Sequence, residues 1–457
     1  MNIRPNFSSP RGERGNVLFM TMIFCGVVGA VLLSYLTFMQ ARVKVRARSQ
    51  AWNTAMPLAE AGVEEAFTHL RRDISAPVAN GWTNEVIGGQ TANTKRRTFP
   101  DGSYFYAMIY NATTNNPRIY SSGFVPTPSG SGYLSRTVQT TTTNDPIFVK
   151  ALVVKKTVTS NGNSVTADAF DSGSPLYSTN GQYVASKAQD GGGIATLSGA
   201  ANALNFGGGT VNGPVATGSG GSIPSSLNVG TRAWLAGPHS GNVQPGYFTT
   251  DMNVTFQDVT VDAALATAGI LTQSKISSSG VVYPLTSILG GLTTAWVLIG
   301  GNNYRITNGT LSGKVVVIGP GTANLLVTSN AAVNFSASAD SISISNNVNF
   351  QMFVGSPTVS LPNVANSSGY AANFTYLGLP TNTNLTMQVN ANFVGTMYAP
   401  NANVTLGGNG GGSDQKIIGA MVSNTMNFND LFSFHYDNAL ARTGLSRGYL
   451  MTSWREM

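Results

Sequence analysis

Residues 17–39 read VLFMTMIFCGVVGAVLLSYLTFM, twenty-three positions without a charged side chain. At about 1.5 Å rise per residue a helix of this length reaches roughly 34 Å, enough to cross a hydrocarbon core of about 30 Å. The run is apolar all round, which a surface or core helix of a soluble domain is not. It is also longer than the apolar region of a secretory signal, and no small-residue cleavage site follows it. The stretch therefore predicts a single transmembrane helix.

The helical pattern continues past the apolar run. Residues 40–73, QARVKVRARSQAWNTAMPLAEAGVEEAFTHLRRD, contain no glycine before Gly62. Val43, Trp52, Met56, Ala59, Val63, Ala66, Phe67 and Leu70 keep largely to steps of three and four, one face of an extended helix. Pro57 is expected to kink it, because proline lacks the amide donor and crowds the preceding turn. Upstream, residues 1–15, MNIRPNFSSPRGERG, are polar and basic.

Composition bounds the rest of the chain. Its 457 residues are enough for two or three domains. Only 10% are charged, against roughly 25% in an ordinary soluble domain. Fifty-two glycines, with abundant Asn, Ser, Thr and Val, suit short strands joined by tight turns. The formal charge of +7 is concentrated at the start: residues 1–100 carry twelve Lys/Arg against six Asp/Glu, the remainder fourteen against thirteen. No basic stripe marks the body, so nucleic acid is not an expected partner. The single cysteine, Cys25, excludes an intrachain disulfide and a thiolate zinc site.

Residues 74–99 read as a loop rich in Asn, Thr and Gly. Tyr104–Tyr110 alternates aromatic with apolar residues on both faces, which predicts a strand covered on both sides. Strands over 118–124 and 134–141 follow, giving a small antiparallel meander. From about residue 147 short period-two runs recur every eight to twelve residues, separated by Gly or Asn: KVVVIG, SISISN, NLTMQVN, NANVTLGG. Two architectures fit, a parallel β-helix (solenoid) and a β-sandwich, and the short, even runs favour the solenoid. At three short strands per coil, residues 190–435 make roughly ten coils spaced about 4.8 Å apart, a rod about 50 Å long. The expected divisions are 1–15 leader, 16–73 helix, 74–146 antiparallel sheet, 147–440 solenoid and 441–457 tail.

The border Arg14-Gly15, the apolar helix and LAEAGVEEA at 58–66 together resemble type IV pilin-like proteins, above all the PilX-type minor pilins and the tip pseudopilins of type II secretion. The resemblance implies cleavage by a prepilin peptidase between Gly15 and Asn16, and pilin or pseudopilin subunits as partners. It also implies an inner-membrane helix with a cytoplasmic N-terminus and an extracytoplasmic body. Major pilins carry a glutamate five residues after the cut. Met20 stands there in this chain, which points to a minor or tip-type subunit. Arg42, Lys44, Arg46 and Arg48 beyond the helix, against Arg4, Arg11 and Arg14 before it, oppose that orientation by the positive-inside rule. The segments at 168–183, 244–254, 395–410 and 418–440 resemble a domain of bacterial PilX-like envelope proteins that has no assigned activity.

Chemistry-bearing residues are sparse. His69, His239 and His435 each stand alone in sequence, and His435, in SFHYD, reads as a structural cap. No glutamate occurs between Glu85 and Glu456, which disfavours a two-glutamate glycosidase. Asp168 and Asp171 are candidate calcium ligands, although DAFDSGSP equally suits a turn. The glycine triplets precede neither a helix nor a Gly-Lys-Ser/Thr, so no phosphate loop is expected. The reading is a membrane-anchored minor pilin-like structural protein, not an enzyme, without cofactor or resident metal. The alternative is a surface adhesin that binds glycans through its solenoid, with exposed aromatics such as Tyr104, Tyr120 and Trp234.

Overall fold

The computed structural model describes residues 14–72, 78–114, 116–128, 131–161, 164–232, 243–389, 392–408, 414–443 and 445–457. Leader residues 1–13, Trp234 and His239 lie outside the described residues. The chain is mainly β with one long N-terminal helix, and it divides into two compact units, 1–144 with 448–457 and 145–447.

In the first unit, helix α1 (Arg14–Arg72) runs 59 residues and stays helical through Pro57. Its apolar half is exposed along the whole of 17–39. Its second half buries Ala51, Ala55, Ala59, Val63, Ala66 and Leu70, a stripe at steps of four and three. The stripe lies on an antiparallel sheet of β1 (Thr83–Ile87), β2 (Gln90–Thr98), β3 (Tyr104–Tyr110), β4 (Arg118–Pro126) and β5 (Tyr133–Pro146), with the C-terminal strand Ser446–Glu456 beyond β5.

Three expectations change here. Residues 83–98 are not loop but a hairpin, closed by Gly88 and Gly89 at φ of 60° and 80°, the left-handed pair that a two-residue hairpin turn needs. Only one face of β3 is covered: Phe105, Ala107 and Ile109 are buried against α1, while Tyr104, Tyr106, Met108 and Tyr110 are half-buried on the open face. The aromatics there cover one another, as where Tyr104 stacks on Phe124 at 4.5 Å and Tyr110 meets Tyr120 edge-on at 5.6 Å. Nor is 441–457 a tail. Ser446–Glu456 is a strand, tied to β5 where Arg136 donates twice to Glu456 at 2.6 Å.

The α1–sheet approach depends on one glycine. A Cβ at Gly123 would stand 2.1 Å from the Ala55 carbonyl oxygen and 2.7 Å from the Ala59 amide nitrogen. Small residues on both surfaces bring backbone against backbone.

The second unit is built mainly from parallel ladders, with Gln273–Ile276 pairing antiparallel to Val282–Tyr283 and to Thr293–Ile299. One ladder takes, in spatial order, Gly269–Ile270, Asn303–Ile306, Gly321–Val327, Val348–Val354, Phe374–Gly378, Phe393–Gly407 and Gln415–Phe428. It then continues into Leu152–Val154, Ile194–Thr196, Val215–Ala216 and Phe248–Thr249. Every one of these pairings is parallel. A second ladder runs Thr310–Leu311, Ala332–Asn334, Thr358–Leu361, Asn384–Gln388 and on through the same two long strands to Val158–Ser160. The inward residues form one continuous core, including the ring cluster in which Phe374 stacks on Phe350 and meets Phe393 edge-on.

The spatial order of the strands is not their order in sequence. Residues 152–249 stack beyond residues 415–437, not before residues 269–306. Strands Phe248–Thr249 and Gly269–Ile270 are neighbours in sequence and stand at opposite ends of the ladder. The link between them runs back along the ladder. The Met252 amide donates to Thr217, Tyr398 Oη donates to the Gln257 carbonyl at 2.7 Å, Asn401 donates to Asp258 at 2.9 Å, and Arg305 donates to the Ala266 carbonyl at 3.1 Å. Ten ladder steps of about 4.8 Å make about 48 Å. The roughly eighteen linking residues, extended at about 3.3 Å each, can span it.

Candidate functional site

Two places gather the residues singled out from sequence. The first is the start of α1. Gly15 and Asn16 lie in its first turn. The following eighteen-residue window reaches a mean hydropathy of 2.5 with none of it buried, so this is a helix long and apolar enough to cross a membrane. Both of its threonine hydroxyls are satisfied internally: Thr21 Oγ1 donates to the carbonyls of Val17 and Leu18 at 2.9 Å, and Thr37 Oγ1 to that of Ser34 at 2.8 Å. These hydroxyls are thereby not left open to lipid or to an apolar neighbour. Met20 is 71% exposed. Arg42, which lies over the Phe38 ring at 4.4 Å, begins the basic segment that closes the apolar stretch.

The second place is on the outer face of the ladders. Strand Val165–Phe170 pairs with Phe432–Asp437 in the register that sets Asp168 beside His435. Inward residues Val165, Ala167, Phe432 and Phe434 anchor the two strands in the core, so alternation turns Asp168 and His435 outward. His435 Nδ1 meets Asp168 Oδ1 at 2.6 Å. Asp168 Oδ2 accepts from Arg232 at 2.6 Å and from Tyr183 Oη at 3.0 Å. The Tyr183 ring stacks on the imidazole, centroids 3.6 Å apart. Burial and then the Asp168 charge push the Tyr183 phenol well above its ordinary range, so it stays protonated and donating.

The two calcium candidates are not joined. Asp168 is committed to a guanidinium, an imidazole and a phenol. Asp171 accepts from Arg442 at 2.7 and 2.9 Å and from the Gly173 amide at 2.9 Å. They share no partner, and a protein cation occupies each, so calcium would have to displace an ion pair. Among the described residues no three His, Cys, Asp or Glu side chains gather as a metal site.

His435 is more than a cap, since its partner lies 267 residues away in sequence. The neighbouring Asp437 closes the turn: its Oδ1 accepts from the amides of Ser172 at 2.9 Å and Ala439 at 3.0 Å. His69 is structural. It is buried, stacked on Trp82 at 4.9 Å and held by Asn93 and Asn80. Sequence reasoning did not pick out Tyr183, Arg232 or Asp414. No spacing signal links them, because only ladder register brings residues 166–183, 232 and 414–435 together.

A family model described as a domain of unknown function (DUF7305) matches residues 296–443, about a third of the chain. Those residues are the part of the ladders in which sequence order and spatial order agree. No curated protein matches the chain. Among solved structures, the crystal structure of the competence-associated pilin ComZ from Thermus thermophilus is 13% identical, covering 89% of this chain and 97% of that one at a TM-score of 0.18. A score that low carries no structural argument, and the functional reading rests on this chain's own residues.

Proposed function

We propose that the chain is a membrane-anchored, minor pilin-like structural protein that joins a type IV pilus or type II secretion-like filament at the cell envelope. The observation that carries this is α1 itself. One half is apolar and uncovered on every side, and the other is seated through a small-residue stripe on an antiparallel sheet. A plain anchor needs only the first half. A filament subunit needs both, because the first half must leave the bilayer and pack against other such helices while the second holds the sheet. The Arg14-Gly15 border and the LAEAGVEEA segment support processing before Asn16, with a prepilin peptidase, the membrane and other pilin or pseudopilin subunits as partners. Met20 supports a minor or tip position. In this reading the chain spans the inner membrane once, N-terminus inside, and is not an enzyme. The parallel ladders, with strands returning to register after nineteen to twenty-seven residues, support a β-solenoid over an antiparallel sandwich.

The test is mass spectrometry of the mature N-terminus after co-expression with a prepilin peptidase, together with photo-crosslinking from Val28. A chain beginning at Asn16 and crosslinked to pilin subunits is expected. A chain beginning at Met1 with no such crosslink overturns the proposal.

A further inference from the structure

The outer face around Asp168 carries an inference separate from the filament reading. Four parallel strands lie side by side there. Val211 is in register with Ala167, Ala167 with Phe434, and Phe434 with Ile417. The residues that alternate outward therefore form two rows across the strands. One row is Thr210, Thr166, Ser433 and Lys416. The other contains Asn212, Asp168 and His435. Three strand spacings of about 4.8 Å make each four-strand row about 14 Å long. Together with Tyr183, Arg232 and Asp414 the rows line a cleft of about 280 Å³.

The cleft has an open valence at its centre. His435 is only 6% exposed, and its Nε2 has no hydrogen-bond partner among the described residues. Nδ1 is engaged by Asp168, which accepts from it. Nε2 is left as an unanswered polar atom beneath the cleft lining, and burial makes such an atom costly. A ligand hydroxyl, which both donates and accepts, answers it. The charges of the walls balance, with Arg232 and Lys416 against Asp168 and Asp414, so no strongly charged ligand is favoured. Much of the remaining lining supplies hydroxyl and amide groups, able both to donate and to accept. Ser433 Oγ donates to Asp414 at 2.7 Å and meets Thr166 Oγ1 at 2.7 Å, which fixes that row in place. A ligand fitting these constraints is uncharged, rich in hydroxyls, and repeats at about 5 Å, the strand spacing. We propose that the cleft binds a neutral oligosaccharide of two to three sugar rings laid across the strands, with one sugar hydroxyl hydrogen-bonded to His435 Nε2.

The experiment uses the full chain in detergent and titration calorimetry against cellohexaose, maltohexaose, mannohexaose and chitohexaose. Polygalacturonate, inorganic phosphate and calcium chloride form the comparison arm. At least one neutral hexasaccharide is expected to bind. His435→Asn keeps an N–H for Asp168 and deletes Nε2, and is expected to weaken binding at least tenfold. Asn212→Ala, which removes a cleft amide and leaves the side chains of the ion pair in place, is expected to weaken it several-fold with an unchanged thermal midpoint. That second variant keeps the test decisive if the histidine variant misfolds. The proposal is overturned by binding of none of the neutral sugars, by binding that Asn212→Ala and His435→Asn both leave unchanged, or by binding confined to polygalacturonate, phosphate or calcium. None of these readouts depends on whether the leader is cleaved.

Discussion

Replacing Gly123 with alanine should detach α1 from its sheet. The new Cβ would stand 2.1 Å from the Ala55 carbonyl oxygen, 2.7 Å from the Ala59 nitrogen and 2.8 Å from Leu58 Cβ. Two of these three are backbone atoms of a helix, so no rotamer change relieves them. Restoring an ordinary contact requires the helix to retreat by roughly 1 Å, and a gap of that size forfeits about a quarter to a half of each dispersion well it opens. Ala55, Ala59, Val63, Ala66 and Leu70 with their partners on β3 and β4 make on the order of 100 atom pairs at about 0.15 kcal/mol each, so about 4–7 kcal/mol is at stake. Tilting of the helix recovers part of that, which leaves about 3 kcal/mol, the upper end of measured overpacking costs. Amide exchange in β3 and β4, read by mass spectrometry, should then quicken by roughly 150-fold if it proceeds through opening of this unit. Gly62→Ala is the control. Its Cβ would meet Ser121 Oγ first, at 2.1 Å, the mobile end of a side chain, so its effect should be several-fold smaller. Exchange in Gly123→Ala within about threefold of wild type would refute the backbone-contact argument.

Other perturbations probe other parts of the structure. Burial raises the Asp437 carboxyl above its usual value of 3.8, so its contribution to stability is fully present below that pH and is lost as pH rises through the folded-state value. An Asp437→Asn variant keeps a side-chain oxygen that can accept from the Ser172 and Ala439 amides but carries no charge. It should therefore gain thermal midpoint over wild type progressively from about pH 4 upward, and a constant difference would contradict this. Asp437→Ala leaves both amides unanswered and should cost about 1–3 kcal/mol per group in urea unfolding. Phe374→Ala empties the middle of the Phe350–Phe374–Phe393 cluster and should cost about 3–5 kcal/mol by the same measurement. Deleting residues 448–457 bares the edge of β5 and should speed amide exchange in β5 while leaving Val348–Val354 protected.

The parts legible in sequence were those where burial writes a local pattern. In α1 the apolar run is legible as an unbroken run and the stripe from Ala59 to Leu70 as a period, whereas Val43 and Trp52 are exposed and Ala51 and Ala55 take the buried places above it. Strand Ser446–Glu456 escaped because almost all of it is exposed, and a strand with no buried face has no alternation to read. The hairpin at 83–98 carried a Gly-Gly turn signal inside polar composition that reads as loop. β3 misled in the other direction: its tyrosines shield one another on an open face, and a mutual shield looks in sequence like a covered surface. The Asp168–His435 pair was out of reach of spacing arguments. It exists because residues 152–170 lie against residues 415–437, a register set by the whole stack and by no segment alone.

That out-of-order stacking governs how the chain can be made. The segment 152–170 has residues 415–437 as one of its two neighbours, and the link at 251–268 lies across strands that follow it in sequence. Loop closure over more than about 250 residues precedes the central contacts, and contacts so remote in sequence slow folding. A chain delivered N-terminus first would hold its early strands unpaired on one side until the last strands arrived. The body would then set in one late, cooperative event, and a chain stalled before residue 437 would leave the edges of strands Leu152–Val154 and Val165–Phe170 bare, a template for pairing with another chain.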